Sequence, residues 1–300
     1  MNLLVLGGTR FVGRAIVEAA LAGQHDVTLF NRGTASDVVP AARRITGDRG
    51  SAAAVARLSG SDWDAVVDVS AYRPTDVRSV LRELGNIQHY VFISTISVYA
   101  EPLQIGAEES AQLLQVSESI AADDPRAYGG LKVLCERELR DRLGERLTVL
   151  RPTVVIGPHD YTDRFPWWVR NIAAGGRMEV PGRLKQPVQL TDANDLADFA
   201  IRTVEQRIFG TFNTVGPKAA VTLGDMIEML SAVLASQIDL VPVFGDDVAS
   251  RFPLVLAADG SKDGWFSVSS AAALQRGLTL RPLTESALAV RNERPTGVIV

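Results

Sequence analysis

The sequence predicts an α/β fold, a doubly wound parallel sheet followed by a smaller α/β region, on three observations. Short runs rich in Val, Ile and Leu recur along the first 160 residues, segments with apolar residues three and four apart separate them, and the first run ends in a glycine-rich turn that opens a helical pattern. The runs are NLLVLG (2–7), DVTLF (26–30), DAVVDVS (64–70), HYVFIST (89–95) and LTVLRPT (147–153). Their apolarity is continuous rather than alternating, which means strands buried on both faces, as in a parallel sheet wrapped by helices. RFVGRAIVEAALAG (10–23), SAAAVARLSG (51–60), PTDVRSVLREL (74–84) and AYGGLKVLCERELRDRL (127–143) carry helical spacing, two of them with Gly near the end. Repeated strand-helix units place one doubly wound domain over residues 1–160. Beyond RPTVVIGPHD the pattern loosens into DANDLADFAIRTVEQ, TFNTVG and TLGDMIEMLSAVL. Residues 161–300 are expected to form a smaller capping region that shapes a substrate cleft, with some segments returning to the main sheet.

At 46% hydrophobic and 22% charged, the 300 residues are enough for a sizeable core and lie outside the disordered regime. No apolar run reaches the roughly 20 residues that span a bilayer, and the first apolar stretch is short and lacks a positively charged start. A cytoplasmic protein without a membrane partner is therefore expected. Cys135 is the only cysteine, which excludes an internal disulfide and a thiolate zinc cluster. His25, His89 and His159 are scattered without ligand spacing, so no metal site is expected. The net charge of -4 offers no electrostatic footprint for nucleic acid.

The stretch GGTRFVG is the first candidate site. Gly7 and Gly13 suit a tight turn and a close helix approach, and the helix that follows offers unpaired N–H groups to an anion such as a dinucleotide's pyrophosphate. Gly7, Thr9, Arg10, Phe11, Val12 and Gly13 are its candidate residues, and a plain loop is the alternative. At the end of the second run, in VTLFNRG, an acidic side chain would accept bonds from the ribose of NAD and repel a 2'-phosphate; Asn31 and Arg32 stand there instead. Two guanidinium groups, Arg10 and Arg32, would converge on a 2'-phosphate, so NADP(H) is favoured over NAD(H). The other reading of Arg10 is an extension into solvent.

In AYGGLKVLCE, Tyr128 and Lys132 lie one helical turn apart on one face, either as a surface pair or as an acid/base unit. A free phenol titrates near pH 10, too high for ready proton exchange at neutral pH, and a nearby ammonium stabilises the phenolate. Together with GGTRFVG, VVDVSAY, VFISTISVYA and RPTVVIGP, this helix makes nearly the whole chain resemble an extended short-chain dehydrogenase/reductase, in the atypical branch of the NAD(P)-dependent epimerase/dehydratase family, with its Rossmann-type sheet. The resemblance implies that Tyr128 is the catalytic acid/base, Lys132 its electrostatic partner and Thr95 the hydroxyl that orients the substrate oxygen. It also implies that Asp48, in TGDRG, lies beside the adenine, that Ser70 and Ala71 lie near the nicotinamide half, that Arg49 and Pro152 are further cofactor-binding residues, and that the protein forms a homodimer.

Dehydratases of this family follow the Ser/Thr with an Asp-Glu pair; Ile96 and Ser97 stand there, which argues against dehydration. Three readings remain: NADP(H)-dependent reduction of a sugar-like or small-molecule carbonyl, which the arginines favour; a nucleotide-sugar epimerase with tightly bound NAD; and a non-catalytic NAD(P)-binding or RNA-associated protein, against which stand Tyr128, Lys132 and the acidic charge. Val154 stands where relatives acting on nucleotide sugars carry Asn, and Val188 or Gln189 replaces an arginine that grips diphosphate. Arg183 and Lys185 are either compensating cations or solvated loop charges. Within RFPWWVRN, Phe165, Trp167 and Trp168 are candidate cleft walls, at least one tryptophan being ordinary core. Val154, Phe165, Trp168 and Gln189 are thus the candidate substrate residues.

Overall fold

The computed structural model describes residues 1–34, 39, 41–85, 87–245 and 247–293. Strand β1 (Asn2–Leu6) shows why its apolarity is continuous: Leu3 and Val5 enter one core, and Leu4 and Leu6 enter another on the opposite face of the sheet. Each such side chain contributes about 1.5–3 kcal/mol by leaving water. The chain continues through α1 (Phe11–Ala22), β2 (Asp26–Asn31), β3 (Arg43–Thr46), α2 (Ala52–Val55), β4 (Ala65–Asp68), α3 (Pro74–Glu83), β5 (His89–Ile93), α4 (Ala127–Leu143) and β6 (Leu147–Pro152). After Thr153 come β7 (Val154–Ile156), α5 (Arg164–Ala174), β8 (Gly176–Pro181), β9 (Pro187–Asp192), α6 (Ala193–Glu205), β10 (Gly210–Thr214), β11 (Gly216–Thr222), α7 (Leu223–Val233), β12 (Ile238–Val243), α8 (Val248–Arg251), α9 (Ala271–Gln275) and α10 (Leu283–Asn292).

Seven strands form one parallel sheet in the order β10-β6-β5-β4-β1-β2-β3. Helices α1 and α6 pack together on one face, α3 and α4 on the other. The TFNTVG segment supplies β10, which pairs with β6 from Gly210 opposite Thr148 to Thr214 opposite Pro152. Residues beyond 160 thus complete the main sheet and also build a third core, where α5, α7 and α10 pack around β8 and β9. The LTVLRPT run splits at Thr153, so that β7 leaves the large sheet and joins β9 and β11 in a three-stranded one. Strand β3, RRIT, has no counterpart in the sequence reading because it lies at the sheet edge with no fully buried residue.

Beneath the C-terminal ends of β5 and β6 lies a buried ion pair. Arg151, 2% exposed, donates from Nε and Nη2 to Glu136 on α4 at 3.0 and 2.6 Å, and from Nη1 to the Tyr99 hydroxyl at 3.0 Å. Ser94 donates to the same Glu136 carboxylate at 2.6 Å, and Tyr99 donates to Asn213 of β10 at 2.6 Å. Among the described residues, no helix is long and apolar enough to cross a membrane.

Candidate active site

A cavity of about 510 Å³ opens where β1, β4, β5 and β6 end, the crevice at which doubly wound sheets bind ligands. Its floor is the glycine turn. A Cβ on Gly13 would lie 2.8 Å from the Gly8 nitrogen, so only glycine lets α1 start this close to the turn. Helix α1 has extended Arg10 at its N-cap, no capping side chain and no acid in its first turn, which leaves its first N–H groups open to an anion. This backbone cradle fits a dinucleotide's pyrophosphate.

Gly7, Thr9, Arg10, Phe11, Val12, Gly13, Arg32, Ser70, Tyr128, Lys132 and Pro152 all border the cavity, as do Thr95 and Val154. Four residues named from the sequence as cofactor contacts lie outside that lining. Asn31 is a brace, its amide donating to the Gly7 carbonyl at 3.1 Å and accepting from the Gly33 N–H at 2.9 Å. Asp48 accepts from the Gly50 N–H within its own turn. Arg49 is turned inward onto Asp68, with N–O distances of 3.1 and 2.9 Å, and Ala71 is buried with its N–H on the same carboxylate. Burial alone would raise the Asp68 pKa; the Arg49 charge and hydrogen bonds, with the Tyr90 hydroxyl, outweigh it and hold the carboxyl below its ordinary range. This pair fixes the end of β4, where Ser70 reaches the cavity.

The three candidate catalytic side chains come from two elements. Thr95 lies two residues past the end of β5 and caps the short turn Ile96–Val98, its hydroxyl accepting from the Ser97 N–H at 3.1 Å. Tyr128 and Lys132 share one face of α4. Gly129 admits this helix to the site, because a Cβ there would lie 1.8 Å from the Ser97 carbonyl oxygen. Tyr128 is 48% exposed, yet its phenol lies in the cleft, where desolvation first and Tyr72 second push its pKa up to about 12; the Thr95 hydroxyl and the Arg164 charge pull the other way. The sequence argument has Lys132 stabilising a Tyr128 phenolate. The structure differs, since Lys132 donates to the Ile93 carbonyl at 2.8 Å and sits 4.6 and 5.0 Å from the Phe92 and Tyr72 ring centroids.

Burial pushes the Lys132 pKa down from 10.5 to about 8, against the attraction of Asp68. The unfolded chain therefore binds this proton more tightly than the folded one, and stability rises with pH through the interval between those values. In chemical denaturation, wild type is expected to gain about 3 kcal/mol on Lys132→Met between about pH 8 and about pH 10.5. A constant difference across that range would mean that Lys132 titrates as it does in water.

On the substrate side the structure corrects three expectations. Phe165 and Trp168 are 0% exposed in the third core, where Trp168 donates to the Pro253 carbonyl at 2.9 Å. Gln189 clamps the chain at Val268, donating to its carbonyl at 2.8 Å and accepting from its N–H at 3.1 Å. Nor do the diphosphate alternatives face the cleft: Val188 is 2% exposed, and Arg183 pairs with Asp263 at 2.8 Å. Tyr72, Tyr161, Thr162, Arg164, Trp265 and Phe266 stand at the cleft instead. Arg164 opens the aromatic stretch already singled out and Tyr161 lies three residues before it, while nothing in the spacing points to Trp265 or Phe266. Arg10 leans across the cavity, its guanidinium carbon 6.0 Å from the Tyr161 ring centroid.

The model of a family described as the NAD dependent epimerase/dehydratase family matches residues 3–83 and 74–214. The chain is 27% identical over 234 residues to the chloroplast stem-loop binding protein of 41 kDa b of Arabidopsis thaliana, covering 72% of this chain and 59% of the relative. It is 28% identical over 142 residues to the 2'-dehydrokanamycin reductase of Streptomyces kanamyceticus, covering 47% of this chain and 38% of that one. The chain thus spans less than two thirds of the length of these curated relatives. In fold it is similar to a solved structure from Burkholderia cenocepacia J2315, described as that of a candidate epimerase, with a TM-score of 0.77, 21% identity and 97% of each chain covered.

Proposed function

The chain belongs to the NAD dependent epimerase/dehydratase family, and from that premise we propose that it reduces a carbonyl with NADPH. The observation that carries this reading is a charge pattern: Arg10 and Arg32 border the cavity of the glycine turn, and no carboxylate does among the described residues. Arg32 follows β2, where an acid would favour the ribose of NAD, and Asn31 is occupied by Gly7 and Gly33. The glycine turn and the start of α1 would hold the pyrophosphate, the two arginines the 2'-phosphate, and Lys132 the ribose beside the reacting centre. The dinucleotide, when bound, supplies the hydride.

The rest of the chemistry belongs to the chain. Thr95 holds the substrate oxygen, and Tyr128 donates a proton to it as the carbonyl becomes an alcohol. A phenol with its pKa pushed up to about 12 carries its proton at neutral pH, as a donor must, and a bound dinucleotide and substrate have to lower that value for ready transfer. Ile96, 5% exposed in its own apolar cluster, leaves elimination without the carboxylate it needs at that place. Calorimetric titration with NADP+ and NAD+ tests the reading. NADP+ is expected to bind about 10-fold or more tighter to wild type, and Arg32→Asp is expected to reverse the order. Wild type that prefers NAD+ would overturn it and favour an epimerase with resident NAD.

A further inference from the structure

We propose, on the basis of that reductase reading, that the carbonyl substrate is a ring-bearing oxo acid whose anionic group is gripped by Arg164. The cavity is bordered by Arg10, Arg32, Lys132 and Arg164, with no carboxylate among the described lining residues of a chain whose net charge is -4. Three of these cations have an assignment on the dinucleotide side. Arg164 does not: it starts α5 in the capping region, and its field reaches the Tyr128 hydroxyl.

Its own packing leaves hydrogen-bonding capacity unused. Arg164 donates from Nε to the Thr162 hydroxyl at 3.0 Å, and its two terminal nitrogens meet no acceptor among the described residues. The nearby Asp160 accepts from the Thr162 N–H at 2.8 Å and hydroxyl at 2.6 Å through Oδ1; burial raises its pKa while the Arg164 charge draws it down, but no hydrogen bond joins the two side chains. A cation in the first turn of a helix opposes the helix dipole, so α5 gains no stability from it. Phe165 and Trp168, both fully buried, fix the helix that presents it.

The cleft walls set the rest of the ligand. Of five tyrosines, Tyr90 and Tyr99 are buried in ion networks, whereas Tyr72, Tyr128 and Tyr161 are 53%, 48% and 68% exposed, and all three border this cavity. Trp265 and Phe266 add two more aromatic side chains. Aromatic walls favour a flat, apolar ring. Arg164 and Tyr128 border one cavity, so the carboxylate or phosphate that Arg164 takes belongs to the same molecule as the reacting carbonyl.

The test uses phenylpyruvate and its methyl ester, titrated by calorimetry into protein loaded with NADP+ and into dinucleotide-free protein, for wild type and Arg164→Gln. Wild type is expected to bind the acid about 10-fold or more tighter than the ester, and Arg164→Gln to lose about 10-fold for the acid only, the scale of one charge-assisted grip. Equal binding of the two compounds, no binding of either, or a preference that survives in Arg164→Gln overturns the anion subsite. Protein that prefers the acid but does not bind NADP+ keeps the subsite and loses the reductase reading. Protein that binds NADP+ without preferring the acid loses the subsite alone.

Discussion

Tyr128→Phe is expected to lower the rate of NADPH-dependent carbonyl reduction by roughly 10²-fold or more, the scale of losing a general acid. The substitution removes one oxygen and keeps the ring. Tyr128 is half exposed and its hydroxyl meets the Thr95 hydroxyl at the cleft, so losing it is expected to cost no more than about 1 kcal/mol of unfolding free energy. KM should change little if Thr95 and Arg164 hold the substrate as proposed, and the loss should appear in kcat. Steady-state kinetics on a reducible oxo acid, with NADP+ affinity measured alongside, separate these effects. An unchanged kcat in Tyr128→Phe would remove the proton donor from the mechanism while leaving the glycine cradle untouched.

Glu136→Ala is expected to destabilise the protein by about 3–5 kcal/mol, because it strands the Arg151 guanidinium where water does not reach. Arg151 is 2% exposed and Glu136 fully buried, and the carboxylate takes three donors at 2.6–3.0 Å from Arg151 and Ser94. Removing both charges, as in Glu136→Leu with Arg151→Met, should cost much less, since two charges then no longer have to be desolvated. Urea denaturation of the single and double variants decides the matter. If the single substitution costs less than about 1 kcal/mol, the pair does not organise this part of the core. Because Ser94 precedes Thr95 and bonds the same carboxylate, the single variant should also lose activity under conditions where it remains folded.

The main sheet was legible because β1, β2, β4, β5 and β6 are buried on both faces and therefore read as unbroken apolar runs. Strand β3 was not: RRIT leans on β2 alone, and a polar edge strand looks like a loop. The glycine turn and the Tyr128 and Lys132 pair, which border one cavity, stood out in the sequence because each motif is contained within a few residues. The capping side was harder for the same physical reason that aromatic residues serve both core and cleft. Phe165 and Trp168, three apart on α5, turn inward, and Arg164 at the same helix start borders the cavity; only tertiary packing distinguishes them. Trp265 and Phe266 reach the site from more than 100 residues beyond Tyr128, held there through Gln189 and Val268, a contact that leaves no periodic trace. Arg49 misled because a turn arginine next to a nucleotide-binding sheet serves equally well as the partner of a buried Asp68.

The late arrival of β10 and α6 bears on how the chain is made. While the ribosome is still adding residues 153–209, β6 has one row of backbone groups unpaired and α1 lacks the helix that covers it. At about 5–20 residues per second this interval lasts on the order of seconds. During it the nascent chain carries an adhesive strand edge and a greasy face, the combination that chaperones recognise. Slower translation across this interval lengthens the time for which that edge and face stand open.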